Sequence, residues 1–127
     1  MKMWEVSRNT LECSTHEIFV DCPFYEQQQY VGDGRFEALY AWRLSNDSSM
    51  QKKLLLDTVS CQQDDGQFAG NYPNSNVQIL TVCTFYFVSL MREYLRYTGD
   101  TEFIKTITGV CDRALQYYEN YRQGRIG

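Results

Sequence analysis

The chain has 127 residues, 43% of them hydrophobic and 15% aromatic, which excludes a disordered polymer and leaves room for one domain with a real core. A formal charge of −4, with no arginine-rich run, argues against nucleic acid or an anionic membrane as the main partner. The five cysteines, at positions 13, 22, 61, 83 and 111, are widely spaced, odd in number and free of any Cys-x-x-Cys pair, so neither a disulfide framework nor a zinc site is expected, and no cofactor is called for.

In chain order, the periodicity predicts a first helix from about Met3 to Cys13, with Trp4, Ser7, Arg8 and Leu11 on one side. Ser14 to Asp21 crosses over, with Ile18, Phe19 and Val20 extended, and the dense run Asp21 to Asp33 follows. A strongly apolar helix resumes after Gly34 and ends near Leu44, where Ser45-Asn46-Asp47-Ser48-Ser49 reads as turn and cap. The next helix buries Met50, Leu54, Leu55 and Val59 and leaves Lys52, Lys53 and Asp57 in water. Gln62 to Asn76 is the one long loop.

Val77 to Tyr97 predicts a helix apolar almost all round, which therefore needs neighbours on most sides. Gly99 and Asp100 then form a stop and a start, a C-terminal cap followed by an N-cap. The last helix has the cleanest amphipathic pattern, running from Phe103 and Ile107 through Cys111 and Ala114 to Tyr121. Ile126, near the chain end, is expected to be exposed unless something follows it. No strand alternation occurs, so the expected class is all-α, about five helices arranged as antiparallel hairpins. Neither the polar residues Met1 to Leu11 nor the Val77 to Tyr97 run, broken by Gln78, Arg92, Glu93 and Arg96, fits a signal peptide or a membrane span.

The chemistry concentrates between Asp21 and Asp33, which holds three carboxylates, two tyrosines and a proline. Pro23 suits the first turn of a helix. A helix restarting there would place Glu26, Tyr30 and Asp33 at i, i+4 and i+7 on one face, with Asp21 at the mouth of the turn. Such a set suits a sugar: a ring packs on a pyranose face, carboxylates accept from hydroxyls, and a carboxylic acid in a dry setting protonates a glycosidic oxygen. The same spacing also fits plain capping, by Asp21 of one helix and by Asp33, between two glycines, of the next. Asp64, Asp65, Asn71 and Tyr72 in the long loop read either as sugar contacts or as turn-formers. Cys22 with the single histidine, His16, is a weak basis for a cysteine nucleophile.

The run Asp21-Cys22-Pro23, the acid Glu26 and the pair Gly32-Asp33 resemble the signature of the bacterial α-L-rhamnosidases of glycoside hydrolase family 78. Trp4-Glu5-Val6-Ser7-Arg8, His16-Glu17, Gly32-Asp33-Gly34-Arg35, Asp65-Gly66, Tyr72-Pro73 and Tyr97-Thr98-Gly99-Asp100 are similar to the same family in the same order, so the resemblance spans nearly the whole chain. It implies an (α/α)6 barrel of helical hairpins. Because about five helices cannot close such a barrel, residues 1–127 are expected to be part of a six-hairpin catalytic domain. The resemblance makes Glu26 the general acid of an inverting glycosidase, Asp21 and Asp33 the residues that bind rhamnose hydroxyls, and Tyr30 an aromatic wall of the pocket.

The resemblance also implies that the negative charge of Asp21 and Asp33 helps keep Glu26 protonated. The general base lies further along the family's chain and has no match here; Glu93, Asp100 and Glu119 have ordinary helical explanations. Tyr25 stands where many members carry arginine, which leaves room for a related six-hairpin enzyme acting on another sugar. A non-catalytic helical scaffold or binding module is the other alternative. The expected partners are a rhamnose-containing glycan or glycoside and, through exposed apolar helix faces, a second copy of the chain. The compartment stays open between bacterial cytoplasm and periplasm, since a targeting signal would lie upstream of Met1.

Overall fold

The structure, a computed structural model, describes residues 2–125. Its axis is a long apolar helix, α4 (Thr81–Thr98), in which Cys83, Thr84, Phe87, Leu90, Met91 and Tyr94 form one buried stripe. Three helices pack on α4: α2 (Val31–Ala41), α3 (Ser49–Ser60) and α5 (Thr101–Arg122). The first helix, α1 (Lys2–Ser14), lies mainly against α2. Among the described residues there is no strand, only four isolated bridges, so the chain is all-α and built of helical hairpins.

Two small residues let α2 sit deep between its neighbours. A Cβ at Gly32 would stand 3.1 Å from the Tyr86 ring, and one at Gly34 3.1 Å from Leu54. Phe68 comes down from the loop onto Phe87 with ring centroids 4.7 Å apart, both side chains fully buried. At the far end Trp42 stacks on Tyr97 at 4.4 Å and donates its indole N–H to Ser48 Oγ at 2.9 Å. The α4–α5 junction follows the predicted chemistry: Gly99 takes φ +69° and closes α4, and Asp100 Oδ1 accepts from the Phe103 amide at 3.0 Å.

Local pattern misplaced several element ends. Helix α2 begins at Val31 rather than after Gly34, because both glycines are needed inside it for close approach. Helix α4 begins at Thr81 rather than Val77, since residues 77–80 pair with the loop: the Gly70 amide donates to Gln78 O at 2.7 Å and Ala69 bridges to Ile79. In α3, Leu54 and Leu55 are fully buried as expected. Gln51 and Thr58 share their stripe by bonding to backbone carbonyls of Ala38 and Leu54, while Met50 and Val59 are only half-buried.

Nor is α4 covered all round, for Val82 and Phe85 face outwards. Ile126, expected to be exposed, lies outside the described residues. No described helix is long and apolar enough to cross a membrane.

Core and surface positions on α4 give a direct check. Phe87→Ala should lower unfolding stability by about 3–5 kcal/mol, and Phe85→Ala, 50% exposed, by less than half of that, as read from denaturant midpoints. Equal losses at the two positions would contradict the packing described.

Candidate active site

The predicted helix at Pro23 does not form. Pro23 to Glu26 is a single turn, Gln27 takes the left-handed conformation at φ +53°, and the chain runs extended to Tyr30. The reason lies at the neck of the turn. The Asp21 amide donates to Gln28 O at 2.9 Å, and the Gln28 amide donates to Asp21 Oδ1 at 2.9 Å. With both ends tied across seven residues, the i to i−4 ladder of a helix cannot start. The Glu26 amide instead reaches Cys22 Sγ at 3.2 Å, and Gln27 Nε2 donates to Pro23 O at 2.8 Å.

Gln29 anchors this turn to the body of the protein. Its side chain is buried; Nε2 donates to Asp57 Oδ2 at 2.8 Å and to Tyr72 O at 3.0 Å, while Oε1 accepts from the Phe19 amide at 3.3 Å. The amide of Tyr72 returns a bond to Gln29 O at 3.1 Å, and the Val31 amide donates to Gly70 O at 3.0 Å. Asn71 is buried and donates its side-chain amide to Gln28 Oε1.

On this base the four predicted residues come together by a fold-back rather than along one helical face. Tyr30 occupies the N-cap position of α2 in extended conformation, with no capping bond from its side chain, and Asp33 falls in the first turn, where the helix dipole favours a negative charge. Asp21 and Asp33 therefore do not cap helices in the way the plain reading of the spacing allowed. The phenol of Tyr30 is pushed above its usual range by the Glu26 carboxylate near its hydroxyl, then by burial and by the charges of Glu26, Asp21 and Asp33. Glu26 itself is exposed, not in the dry setting expected of it.

The group on which Asp21 and Asp33 do act as a proton-holding field is Glu37, one turn beyond Asp33 on α2. Burial, then the charges of Asp33 and Asp21, push its carboxyl up to about 8, and its Oε2 is buried with no hydrogen-bond partner. Glu37, Gln28 and Gln29 were not picked out from sequence. For Glu37 the only available signal was its place four residues after Asp33.

The remaining candidates divide. Asn71 and half-buried Tyr72 stand beside the turn, whereas Asp64 and Asp65 line a cleft against α5 with Arg113 and Tyr117. Glu93 pairs with Arg35, Asp100 with Lys52 at 3.1 Å, and Glu119 with Arg122 at 2.7 Å, so each has a structural occupation. Cys22 serves the Glu26 amide, and His16 is exposed. Among the described residues no cluster of three or more His, Cys, Asp or Glu is placed to hold a metal ion. A groove of about 390 Å³ between α1 and α2, lined by Trp4, Leu11, Tyr40 and Leu44 among others, contains none of the four predicted residues.

What the arrangement offers chemically is a set of carboxyls and a phenol with free lone pairs beside an exposed acid. Comparison with known proteins gives this set a context. A family model described as the bacterial α-L-rhamnosidase six-hairpin glycosidase domain matches residues 1–126. The chain is also similar to the crystal structure of a GH78 family rhamnosidase of Bacillus sp. GL1, with TM-score 0.87 and 29% identity over 92% of this chain. The chain spans 12% of the length of that rhamnosidase. No curated protein matches it.

The Gln29 anchor is testable by an apolar side chain of similar length. Gln29→Leu leaves Tyr72 O and the Phe19 amide without their partner and Asp57 with Lys53 alone, and should cost about 1–3 kcal/mol of stability with faster amide exchange at Phe19 and Gln28. Unchanged exchange at those two amides would remove Gln29 from this role.

Proposed function

Since the chain belongs to the bacterial α-L-rhamnosidase six-hairpin glycosidase family, we propose that the complete protein hydrolyses terminal α-L-rhamnosides with inversion, and that Glu26 is its general acid. In this reading Glu26 gives its proton to the glycosidic oxygen as the bond to the leaving group breaks. Asp21 and Asp33 accept hydrogen bonds from hydroxyls of the sugar, orienting the ring against Tyr30. The Tyr30 hydroxyl, near Glu26, donates to that carboxylate once it has lost its proton. A second carboxylate, about 6.5–9.5 Å away across the sugar, activates the attacking water, and it comes from a part of the protein beyond this chain.

The observation that supports the reading is the closed turn, tied from Asp21 to Gln28, which sets Glu26 near the head of α2 where Tyr30 and Asp33 stand, at the residues that resemble the family signature. Exposure of Glu26 fits a domain of which this chain supplies only a part, the remaining hairpins covering the acid and the outward apolar residues Trp4, Val82 and Phe85. In the isolated segment those same apolar faces would favour self-association. A related enzyme acting on another deoxy sugar is the second reading, favoured by Tyr25, which projects 85% exposed beside Glu26 and packs edge-to-face on Phe24.

In the complete protein Glu26→Gln should lower kcat on a natural rhamnoside by about 10²–10⁴-fold, and much less on an aryl rhamnoside whose leaving group needs no proton. Residues 1–127 alone should turn over neither substrate. Full activity of Glu26→Gln on the natural substrate would remove Glu26 from the acid's role.

A further inference from the structure

Among the described residues Gln27 is the one non-glycine residue with a positive φ, +53°, and it directly follows the proposed acid. The left-handed region crowds a Cβ against the following carbonyl, so a residue other than glycine stays there only where its surroundings fix it. Two bonds inside the turn supply that. The Gln27 side chain folds back so that Nε2 donates to Pro23 O at 2.8 Å, and the Glu26 amide donates to Cys22 Sγ at 3.2 Å.

The inner pair is not what closes the turn. Its neck is shut by the two bonds between Asp21 and Gln28, and its base is anchored through Gln29. What remains to be fixed is the tip, where residues 23–27 are all exposed and so have no core to hold them. Each inner bond spans four residues, 22 to 26 and 23 to 27, and together they brace the backbone on both sides of Glu26. Pro23 is a firm point for that brace, because its ring locks φ.

Resting on the reading of Glu26 as general acid, we infer that Gln27 and Cys22 are positioning residues for it: they hold the Glu26 backbone so that its carboxyl meets the glycosidic oxygen. Proton transfer is steep in geometry. A displacement of about 1 Å can cost about 10²-fold, and a general acid as a whole contributes about 10²–10⁴-fold. Removing one bond of the brace loosens the tip but leaves the acid present, so the loss is partial. A leaving group that departs without a proton is indifferent to where the acid sits. The neck still holds Asp21 and α2 still holds Asp33, so binding of the sugar is spared.

The test is made on the complete protein, with kcat and KM measured on a natural rhamnoside and on an aryl rhamnoside whose leaving group needs no proton. Gln27→Gly, Gln27→Ala and Cys22→Ala should each lower kcat on the natural substrate by about tenfold and on the aryl substrate by less than about twofold, with KM within about twofold of wild type. Cys22→Ser keeps an acceptor for the Glu26 amide and should recover most of the loss seen in Cys22→Ala. Gln27→Gly relieves the left-handed crowding while removing the side-chain bond, so its Tm should stay within about 2 °C of wild type and its loss of kcat cannot be put down to unfolding.

Wild-type kcat on the natural rhamnoside in Gln27→Gly and Cys22→Ala, or equal losses on the two substrates, would overturn the positioning role. Losses confined to one of the two residues would overturn the role of the other, and Cys22→Ser no better than Cys22→Ala would overturn that of the thiol. Glu26→Gln, run beside them, separates the inference from its premise: if that variant shows no loss that depends on the leaving group, the general-acid reading falls first and takes the inference with it.

Discussion

The site depends on one buried amide being fully satisfied. Gln29 is only 2% exposed, and an amide shut away with unmade bonds costs about 1–3 kcal/mol for each group left without a partner. Its side chain can therefore be buried only when the Phe19 amide, the Asp57 carboxylate and the Tyr72 carbonyl are all in place. Those partners belong to the crossover before the turn, to α3 and to the long loop, so one side chain fixes three elements relative to each other. Asp57 is in turn held by Lys53 at 2.6 Å. The turn that bears Glu26 stands on this base, with its neck closed one residue away by Asp21 and Gln28.

Above that base the electrostatics are left open. A ligand such as a neutral sugar brings hydroxyl donors but no charge, and it binds best to carboxylates whose lone pairs are not already taken by arginine or lysine. Asp21, Glu26, Asp33 and Glu37 are among the described acids without an ion-pair partner, whereas Glu12, Asp57, Glu93, Asp100, Glu102 and Glu119 are each paired with a base. Leaving acids unmatched has a consequence: their mutual repulsion raises the affinity for protons, and burial decides which group takes one. At Glu37 burial, then the charges of Asp33 and Asp21, push the carboxyl up to about 8.

The helices were legible where their pattern is local. The period of apolar residues in α5 and the Gly99-Asp100 junction are complete within a few neighbours; the junction folds as read, and α5 buries its stripe from Phe103 to Ala114 while Leu115 and Tyr121 stay exposed. Elements set by distant partners were not legible. The spacing of Glu26, Tyr30 and Asp33 reads as a helix because Pro23 and the i, i+4, i+7 interval are local signals. The turn that forms instead is closed by Asp21 and Gln28 and anchored by bonds from Gln29 to residues 28 and 43 positions away, which no window on the sequence contains.

The same cause shortens α4, since residues 77–80 are claimed by Ala69 and Gly70 of the loop. Asp21, Glu26, Tyr30 and Asp33 still lie near one another, because an extended run with a tight turn also brings such neighbours together. Glu37 went unnoticed because burial, not residue type, is what distinguishes it from any other helical glutamate.

The exposure of Glu26 and the exposure of the apolar faces have a common physical origin. An acid that must remain protonated gains from losing water, and helices with Trp4, Val6, Val82 and Phe85 turned outward also gain from losing it. In the proposed enzyme both are met by one event, the packing of further hairpins around α4 and α2. The hydrophobic term supplies the drive, since each large apolar side chain covered contributes about 1.5–3 kcal/mol, and desolvation of the acid follows as a consequence that alone would be unfavourable. In that proposal completing the barrel and tuning the acid are one process, and residues far from the turn, on the outer sides of α1 and α4, bear on whether Glu26 can serve as the proposed acid.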